Sequence, residues 1–353
     1  MAAALGAFRV IDLSGSIAGQ YCSRLFADFG ANVVLAEPAG GSPVRRIGPF
    51  DEAGRSLTFF HLNFGKEIVD LPPSSDALSQ LLENADVVVV PAGVAGEIQA
   101  VAADDCICVE VSSFGADGPY RDWKGSELVY QAISGMMANN GEGGREPLYG
   151  VGNRASYAAG VAAYISAATA LYARARGAGG QVARADVAET AAAMCFPYVL
   201  QYAYNGTDRR RGDQEIPAGQ VLCRGTWVCI WIYPHRFRAL CETLRLESLP
   251  DDPRFANPAA RARNWSALFD IIQEHLRNED AEDVVRRLQE AQVIAACAYR
   301  PTELLNSPHL AARSYWEGFS DEAGDHLILG PPFRMSRTPR RRSAGNAIAG
   351  AAE

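Results

Sequence analysis

The stretch LYGVGNRASYAAGVAAYISAATALYARARGAGGQVARADVAETAAA, residues 148–193, decides the fold. Its centre, Tyr157 to Arg176, contains no proline and predicts a long helix of small residues, which Gly177 and the glycines after it end. Ser156 stands directly before this helix, where its hydroxyl can accept a hydrogen bond from an early helical amide as an N-cap. The stretch therefore predicts a glycine-bearing loop, a helix, a glycine turn and a second element.

The beginning of the chain predicts a strand, a helix and a second strand. These are the apolar run Phe8–Leu13, the helically spaced segment Ala18–Phe29 and the run Ala31–Glu37. Such a unit is typical of the opening of a doubly wound sheet. The turn SGSIAGQY lacks the glycine spacing of a dinucleotide-binding loop, so it predicts the topology without that ligand.

Two further apolar runs, Ala85–Val90 and Cys106–Ser112, come later in the chain, and segments of helical character lie beside them. Continuous apolar strands that alternate with helices indicate a parallel sheet covered on both faces. The expected fold class is therefore α/β, with a Rossmann-like doubly wound parallel sheet in a large domain.

The sequence changes character after the central helix. A polar connector, a hairpin-like pair of strands over Val221–Ile232 and three helical stretches predict a smaller α+β domain. We expect the N-terminal part of the large domain at 1–204, the small domain at 205–295, and a return to the large domain with a C-terminal tail at 296–353.

Composition excludes several classes of function. The net charge of −8 argues against nucleic-acid binding, and the arginine-rich segment 334–342 is expected to be a solvated or anion-contacting tail. No apolar run approaches the ~20 residues of a membrane span, and the first residues do not resemble a signal peptide. The eight cysteines and five histidines lack metal-site spacing, so we expect no metal, and apolar surroundings of the cysteines suit a reducing cytoplasm.

Six collinear segments resemble the class III (CaiB/BaiF) CoA-transferases, a family that includes the α-methylacyl-CoA racemases. They cover nearly the whole chain and are RVIDLSGSIAGQYCSRLFADFGANVVLAEPAGGSP, FGADGPYRDWKGSELVYQAISGMM, ALYARARGAGGQVARADVAE, RFRALCETL with DDPRFANPAARARN, PTELLNSPHLAARSYW, and LGPPFRMSRTP. The resemblance implies a large domain built from both chain ends, an inserted small domain, and two interlocked subunits. It also implies acyl-CoA and carboxylic acid substrates, with coenzyme A as the carried group.

One position departs from the family's catalytic pattern. The resemblance implies an Asp four residues before a Gly at the start of the central helix. Counting back from Gly160 gives Ser156, and a shift of one residue would give Ala155, so neither position is acidic. The transferase reaction needs a carboxylate, because that group attacks the thioester, becomes a mixed anhydride and then carries CoA. A serine hydroxyl offers no carbonyl to receive CoA, and Asp122 and Asp186 lie outside the segment.

The racemase reaction is also disfavoured. The positions that the resemblance assigns to its His, Asp and Glu are Ser126, Ala155 or Ser156, and Tyr233 in this chain. Proton abstraction beside a thioester carbonyl needs an acid and a base, and these residues supply neither.

The resemblance implies CoA-binding roles for Arg45, Gly65 and Lys66, and places Glu127 and Tyr157 in the substrate pocket. Other expected contacts are altered, since Glu67 would repel a phosphate and the segment Val88–Gly96 lacks polar and basic groups.

Three functions remain open. The first is the non-catalytic subunit of a heteromeric CoA-transferase whose related subunit carries the Asp. The second is a self-sufficient CoA enzyme with altered chemistry at Ser156, for which Glu127, Tyr157 and Asp117 are further candidate groups. The third is an inactive acyl-CoA-binding or structural homodimer.

Overall fold

The computed structural model describes residues 3–71, 75–208, 210–211, 217–321 and 324–340. Contacts divide the chain into two compact units, the first within 1–209 and 316–353 and the second within 210–315. Arg341 and Arg342 of the arginine-rich segment, and the rest of the predicted tail, lie outside the described residues.

The first unit contains a six-stranded sheet in which every neighbouring pair of strands is parallel. The strand order is β3-β2-β1-β4-β5-β6, so the chain reverses its direction of winding between β1 and β4. This confirms the predicted fold class. The strands are β1 (Arg9–Asp12), β2 (Asn32–Glu37), β3 (Glu67–Asp70), β4 (Val87–Pro91), β5 (Ile107–Ser112) and β6 (Gln181–Asp186).

Helices cover both faces of this sheet, which is why its central strands are apolar throughout. Val87 and Val89 of β4 pack in one core cluster, while Val88 and Val90 pack in another. The helices of this unit are α1 (Ile17–Asp28), α2 (Leu57–Asn63), α3 (Ser75–Leu82), α4 (Ala95–Val101), α5 (Glu127–Ile133), α6 (Arg154–Arg174), α7 (Val187–Met194) and α8 (Phe196–Asn205).

Helix α6 packs closely against α1, and Gly160 makes this approach possible. A Cβ atom at position 160 would lie 2.7 Å from the carbonyl oxygen of Ala18 and 2.9 Å from the Cβ of Tyr21. The small residues of α6 on the same side, including Ala159 and Ala163, are fully buried. The stretch that predicted the helix therefore also sets its distance from α1.

The second unit is built on a three-stranded antiparallel sheet of order β7-β8-β9. Its strands are β7 (Ala218–Cys223), β8 (Thr226–Trp231) and β9 (Ile294–Cys297), and its helices are α9 (Phe237–Thr243), α10 (Pro258–Arg263), α11 (Trp265–Leu276), α12 (Ala281–Glu290), α13 (Pro301–Leu304) and α14 (Pro308–Ala312). Because β9 pairs with β8, this unit continues beyond the expected boundary at 295 and ends at Tyr315.

The chain then returns to the first unit as a hairpin of β10 (Trp316–Asp321) and β11 (Gly324–Leu329). Phe319 stacks on Phe60 of α2 at 4.9 Å. Arg340, from the segment expected to be a solvated or anion-contacting tail, pairs with Asp28 at 3.1 Å and with Glu317 at 2.9 Å. In the described part of the chain, no helix has the length and hydropathy needed to cross a membrane.

Candidate active site

Glu127, the first residue of α5, binds the start of α6. Its Oε1 accepts hydrogen bonds from the Ala155 amide at 2.7 Å and the Gln131 side chain at 2.9 Å. Its Oε2 accepts from the amide of Ser156 at 3.1 Å and from the Ser156 hydroxyl at 2.8 Å. The carboxylate therefore satisfies free amides at the positive end of the helix dipole.

Ser156 does not act as the helix N-cap that the sequence predicted. Helix α6 begins at Arg154 rather than Tyr157, and its N-cap is Asn153, which has a left-handed backbone (φ 53°) and makes no capping bond with its side chain. Ser156 lies in the first turn, 7% exposed, and its hydroxyl donates to Glu127 instead of accepting from an amide. The N-cap prediction is wrong because the first amides of α6 donate to Glu127 of α5 rather than to the Ser156 hydroxyl.

Gln131, which the sequence did not indicate as a site residue, links Glu127 to the loop before α6 by hydrogen bonds. Besides its bond to Glu127, it donates to the carbonyl of Gly150 at 2.7 Å and accepts from the Gly150 amide at 3.0 Å. It lies one helical turn after Glu127 on α5, and that spacing is the signal that could have identified it.

The aspartates named from the sequence have other contacts. Asp122 is exposed and pairs with Arg121 at 3.3 Å, and Asp186 accepts a hydrogen bond from the Ser112 hydroxyl at the end of β5. Among the described residues, Glu127 is the carboxylate that bonds Ser156.

Lys66 lies in a buried polar network rather than at a solvent-facing CoA site. Its Nζ donates to the Gln20 carbonyl at 2.8 Å and to Asn63 Oδ1 at 2.7 Å, and it lies 3.3 Å from Asp12 Oδ2. The side chains of Lys66 and Asp12 are both 0% exposed. Desolvation lowers the pKa of Lys66 to about 8 despite the neighbouring carboxylate.

This network ties β1 to α1 and α2, so the geometry gives Lys66 a structural role and argues against the expected phosphate contact. Gly65 precedes it with φ 81°, a conformation that favours glycine in the turn between α2 and β3. The sequence signal that could have identified this network is Asp12, a charged residue at the end of an apolar strand.

Arg45 is partly exposed but already has a carboxylate partner. It lies in the short 3-10 helix Pro43–Arg46, and its Nη2 is 2.6 Å from Glu37 Oε2 at the end of β2. Its guanidinium also lies 3.9 Å from the centre of the Phe59 ring. Arg46 beside it is exposed. A phosphate at this loop would therefore meet Arg45 with much of its charge offset by Glu37.

Tyr157, near the start of α6, packs against a hydrophobic cluster that also includes Val44 of the Arg45 loop. Its ring packs edge-on against Tyr21 at 4.7 Å, and it contacts the cluster that contains Val44 and Leu62. Burial raises the pKa of Tyr157, so its phenol is neutral at pH 7. The predicted pocket residues thus meet at the start of α6, since Tyr157 belongs to this helix and Glu127 binds its first amides, while Lys66 lies in a separate network.

The two cysteines at the start of β5 remain protonated. Burial raises the pKa of Cys106 to about 11 and of Cys108 to about 12, which keeps both as thiols. Within the described ranges, no group of three or more His, Cys, Asp or Glu side chains is arranged to hold a metal ion.

Comparison of the chain with known proteins identifies its family. The profile of CoA-transferase family III matches residues 5–348. The chain is 30% identical to succinyl-CoA–D-citramalate CoA-transferase of Chloroflexus aurantiacus, over 94% of this chain and 87% of that protein. It is 27% identical to succinyl-CoA:(R)-benzylsuccinate CoA-transferase subunit BbsE of Thauera aromatica, over 93% and 87% of the two chains.

The crystal structure of a CaiB/BaiF family protein from Brucella suis has the same fold, with a TM-score of 0.85 and 24% identity over 97% of this chain and 95% of that chain. The match to the family extends over both units and over the start of α6, where Ser156 and Glu127 meet. The chain belongs to CoA-transferase family III.

Proposed function

We propose that this chain is the non-catalytic subunit of a heteromeric CoA-transferase, in which a related subunit supplies the catalytic Asp. The observation that carries the proposal is the hydrogen-bonded pair of Ser156 and Glu127 at the start of α6. Ser156 stands where the family resemblance implies a carboxylate nucleophile, and a buried hydroxyl cannot carry CoA as an acyl thioester.

The contacts of Glu127 support a structural role for the remaining carboxylate. It accepts four hydrogen bonds from three residues and is 9% exposed. Each of those four hydrogen bonds would have to weaken before the carboxylate attacked a thioester.

Two uncovered helix surfaces of the first unit support assembly with a second chain. Helix α6 is rich in apolar residues, and its exposed side chains include Ile165 and Tyr172, which are 57% and 66% exposed. No residue of α8 is buried, although eight of its ten residues are apolar or aromatic. Helices of this kind are stable when another surface covers them.

The names of the relatives suggest the substrates to test. One relative is named as a subunit, and both are named for succinyl-CoA as a substrate. We therefore propose acyl-CoA and carboxylic acid as the substrate pair and succinyl-CoA as the first donor to assay. The eight free cysteines, seven of them buried, also support a reducing, cytoplasmic location.

Co-expression tests the proposal directly. The chain is expressed with a paralogue that has Asp at the position matching Ser156, and size exclusion is expected to give a mixed complex that transfers CoA. A mixed complex that keeps its activity when the paralogue's Asp is replaced by Ala would show that the proposal is wrong.

A second candidate function rests on the position of Glu127. Its carboxylate is 2.8 Å from the Ser156 hydroxyl, so a group of the chemical type that the reaction needs lies beside the expected position. In this function the chain alone transfers CoA through Glu127. Trapping with hydroxylamine would then modify Glu127, and Glu127→Gln would abolish transfer while Ser156→Ala would keep it.

A further inference from the structure

Lysine is scarce in this chain. Two of the 33 lysine and arginine residues are lysines, Lys66 and Lys124. Lys66 is 0% exposed and lies in the buried polar network with Asp12. Lys124 is exposed, and within the described ranges no hydrogen bond or ion pair holds its amine. Of the two lysine amines, that of Lys124 is therefore the accessible one.

An amine has a chemistry that a guanidinium lacks. Arginine stays protonated, whereas the neutral amine of lysine is a nucleophile that attacks carbonyl carbons. The chain belongs to a family of CoA-transferases, and acyl-CoA thioesters are acyl donors to amines. An accessible lysine beside a bound thioester is therefore a place where an acyl group can be captured.

An aromatic cluster fixes the loop before Lys124. The ring of Trp123 lies 4.0 Å from that of Tyr120 and 6.0 Å from that of Phe114. The amide of Trp123 also donates to the carbonyl of Tyr120 at 2.9 Å. Because these contacts hold Trp123, the residue that follows leaves the cluster at a defined point.

The chain after Lys124 is held equally closely. A Cβ at Gly125 would lie 2.2 Å from the hydroxyl oxygen of Tyr130, so the backbone passes directly over this side chain. Tyr130 is 8% exposed, and its hydroxyl is 2.7 Å from that of Ser113. Lys124 thus stands between two fixed points of the loop.

Lys124 lies close to the start of α6. Glu127 follows it by three residues, so the two Cα atoms are at most about 11 Å apart. Glu127 in turn bonds the hydroxyl of Ser156 at 2.8 Å. The family resemblance places the group that attacks the thioester at Ser156, and lysine has a flexible four-carbon stem. The Lys124 amine can therefore approach a thioester carbonyl that is bound there.

The carboxylates beside Lys124 in the sequence have other partners. Asp122 pairs with Arg121 at 3.3 Å, and the carboxylate of Glu127 accepts hydrogen bonds from the start of α6 and from Gln131. Neither carboxylate holds the amine away from a bound ligand.

We infer that Lys124 is a site of self-acylation, which captures the acyl group of an acyl-CoA bound at the start of α6. The amine attacks the thioester carbonyl, the C–N bond forms as the C–S bond breaks, and the sulfur of CoA leaves with the proton that the amine loses. The product is an amide that lacks the positive charge of lysine. The inference rests on the proposed CoA-transferase function for the binding of acyl-CoA at this site.

Incubation of the full-length chain with succinyl-CoA tests the inference. Hydroxylamine then removes ester, anhydride and thioester adducts, and peptide mass spectrometry locates the amide that remains. We expect the amide at Lys124, with Lys66 unmodified. At subsaturating succinyl-CoA, free CoA at ten times its dissociation constant is expected to slow the labelling about tenfold, because only the unoccupied chain reacts.

A second amine at the other end of α6 is the matched control. Arg176→Lys places it on an exposed position about 30 Å from Ser156 along the helix. Succinic anhydride, which needs no binding site, is expected to label this amine and Lys124 at comparable rates. Succinyl-CoA is expected to label Lys124 about tenfold faster, because binding holds the thioester beside it.

Two further controls separate binding from reactivity. The succinyl thioester of N-acetylcysteamine lacks the nucleotide of CoA and is expected to show no preference between the two amines. Lys124→Arg keeps the positive charge and is expected to abolish the label.

Three results would overturn the inference. They are equal labelling of the two amines by succinyl-CoA, labelling that free CoA does not slow, and the absence of an amide at Lys124. These results are distinct from a failure of the proposed function, because amide formation needs no Asp-bearing subunit. A chain that transfers CoA through Glu127 would contradict the proposed function and still carry the label on Lys124.

Discussion

Glu127 accepts four hydrogen bonds at the start of α6, and the Ser156 hydroxyl supplies one of them. Because the other donors are two backbone amides and Gln131, the carboxylate would remain bound to the helix without the hydroxyl. Replacing Ser156 by a residue without a hydrogen-bond donor is therefore expected to cost little free energy of unfolding. A second carboxylate at this position would instead lie against the Glu127 carboxylate.

Ser156→Asp tests this geometry through the pH dependence of stability. Two carboxylates in contact raise the pKa of one of them in the folded state, so the variant loses stability as pH rises through that raised pKa. Relative to the wild type, we expect a lower melting temperature at pH 7 and a smaller difference at pH 4. Ser156→Ala is the control and is expected to cost about 1 kcal/mol at both pH values.

Adding Glu127→Gln to Ser156→Asp should remove the pH dependence. A Ser156→Asp variant whose melting temperature differs from that of the wild type by the same amount at both pH values would contradict the contact between the two side chains.

His61 predicts a second pH effect. Burial, with Arg24 and Arg340 nearby, lowers the pKa of His61 from 6.5 to about 4. The unfolded chain therefore binds a proton between these values that the folded chain does not, and stability falls as pH falls from 6.5 towards 4. The shift corresponds to at most about 3 kcal/mol.

We expect His61→Leu to lessen this loss, measured as the change in urea midpoint between pH 7 and pH 5. A variant with the same loss as the wild type would show that the acid sensitivity arises elsewhere. Removal of Arg340, by Arg340→Gln, should raise the pKa of His61 and give a smaller effect in the same direction.

The sequence identified Ser156 as the decisive position but not its partner, because the partner is 29 residues earlier in the chain and on another helix. The same limit applies to Lys66. The family resemblance implied a CoA contact for it, but the acceptors Asp12 and Gln20 that bury it come from β1 and α1. Local pattern predicts residue type at a site, while packing of distant elements decides which way the side chain points.

At the scale of elements, the approach of α6 to α1 depends on Gly160. Gly160→Ala would normally favour a helix, by about 1 kcal/mol, but here the new methyl group meets the backbone carbonyl of Ala18 at 2.7 Å. Overpacking of this kind costs about 1–3 kcal/mol, so we expect a net loss of stability in urea unfolding.

Gly96 in α4 is the matched control, because no atom lies within 4 Å of a Cβ placed there. Gly96→Ala is expected to be neutral or to stabilise the protein by up to about 1 kcal/mol. Equal effects of the two substitutions would mean that α6 and α1 are not in close contact.

Elements with continuous apolar or helical patterns were predicted within a few residues, as for β5 and α1. The hairpin β10–β11 was not predicted, since it is stabilised by contacts of Phe319 with Phe60 and Phe64 rather than by its own alternation. The start of α6 was placed too late because Glu127 from α5, instead of Ser156, satisfies its first amides.

At the scale of the whole molecule, the exposed apolar face of α8 predicts a second chain. Val199 and Tyr202 are 60% and 63% exposed and contribute nothing to the buried core of the isolated chain. The double substitution Val199→Glu and Tyr202→Glu is expected to abolish co-purification with an Asp-bearing paralogue. The melting temperature of the isolated chain should change little, as for other surface substitutions.

Glu189→Gln and Asn205→Asp, at the beginning of α7 and the end of α8, are controls that should leave the complex intact. A complex that survives the double substitution would exclude α8 from the interface. The family resemblance implied a large domain formed by both chain ends, and the sequence placed the end of the small domain at 295. The second unit ends at Tyr315, and the sequence did not show this because the pairing of β9 with β8 is a long-range contact.

Isotope exchange shows whether the purified chain transfers CoA without a second subunit. Deuterated succinate is incubated with succinyl-CoA, and mass spectrometry follows the label into the thioester. We expect no exchange by the isolated chain and rapid exchange once an Asp-bearing subunit is present in the complex. Exchange by the isolated chain, lost in Glu127→Gln, would contradict the claim that this chain is a non-catalytic subunit.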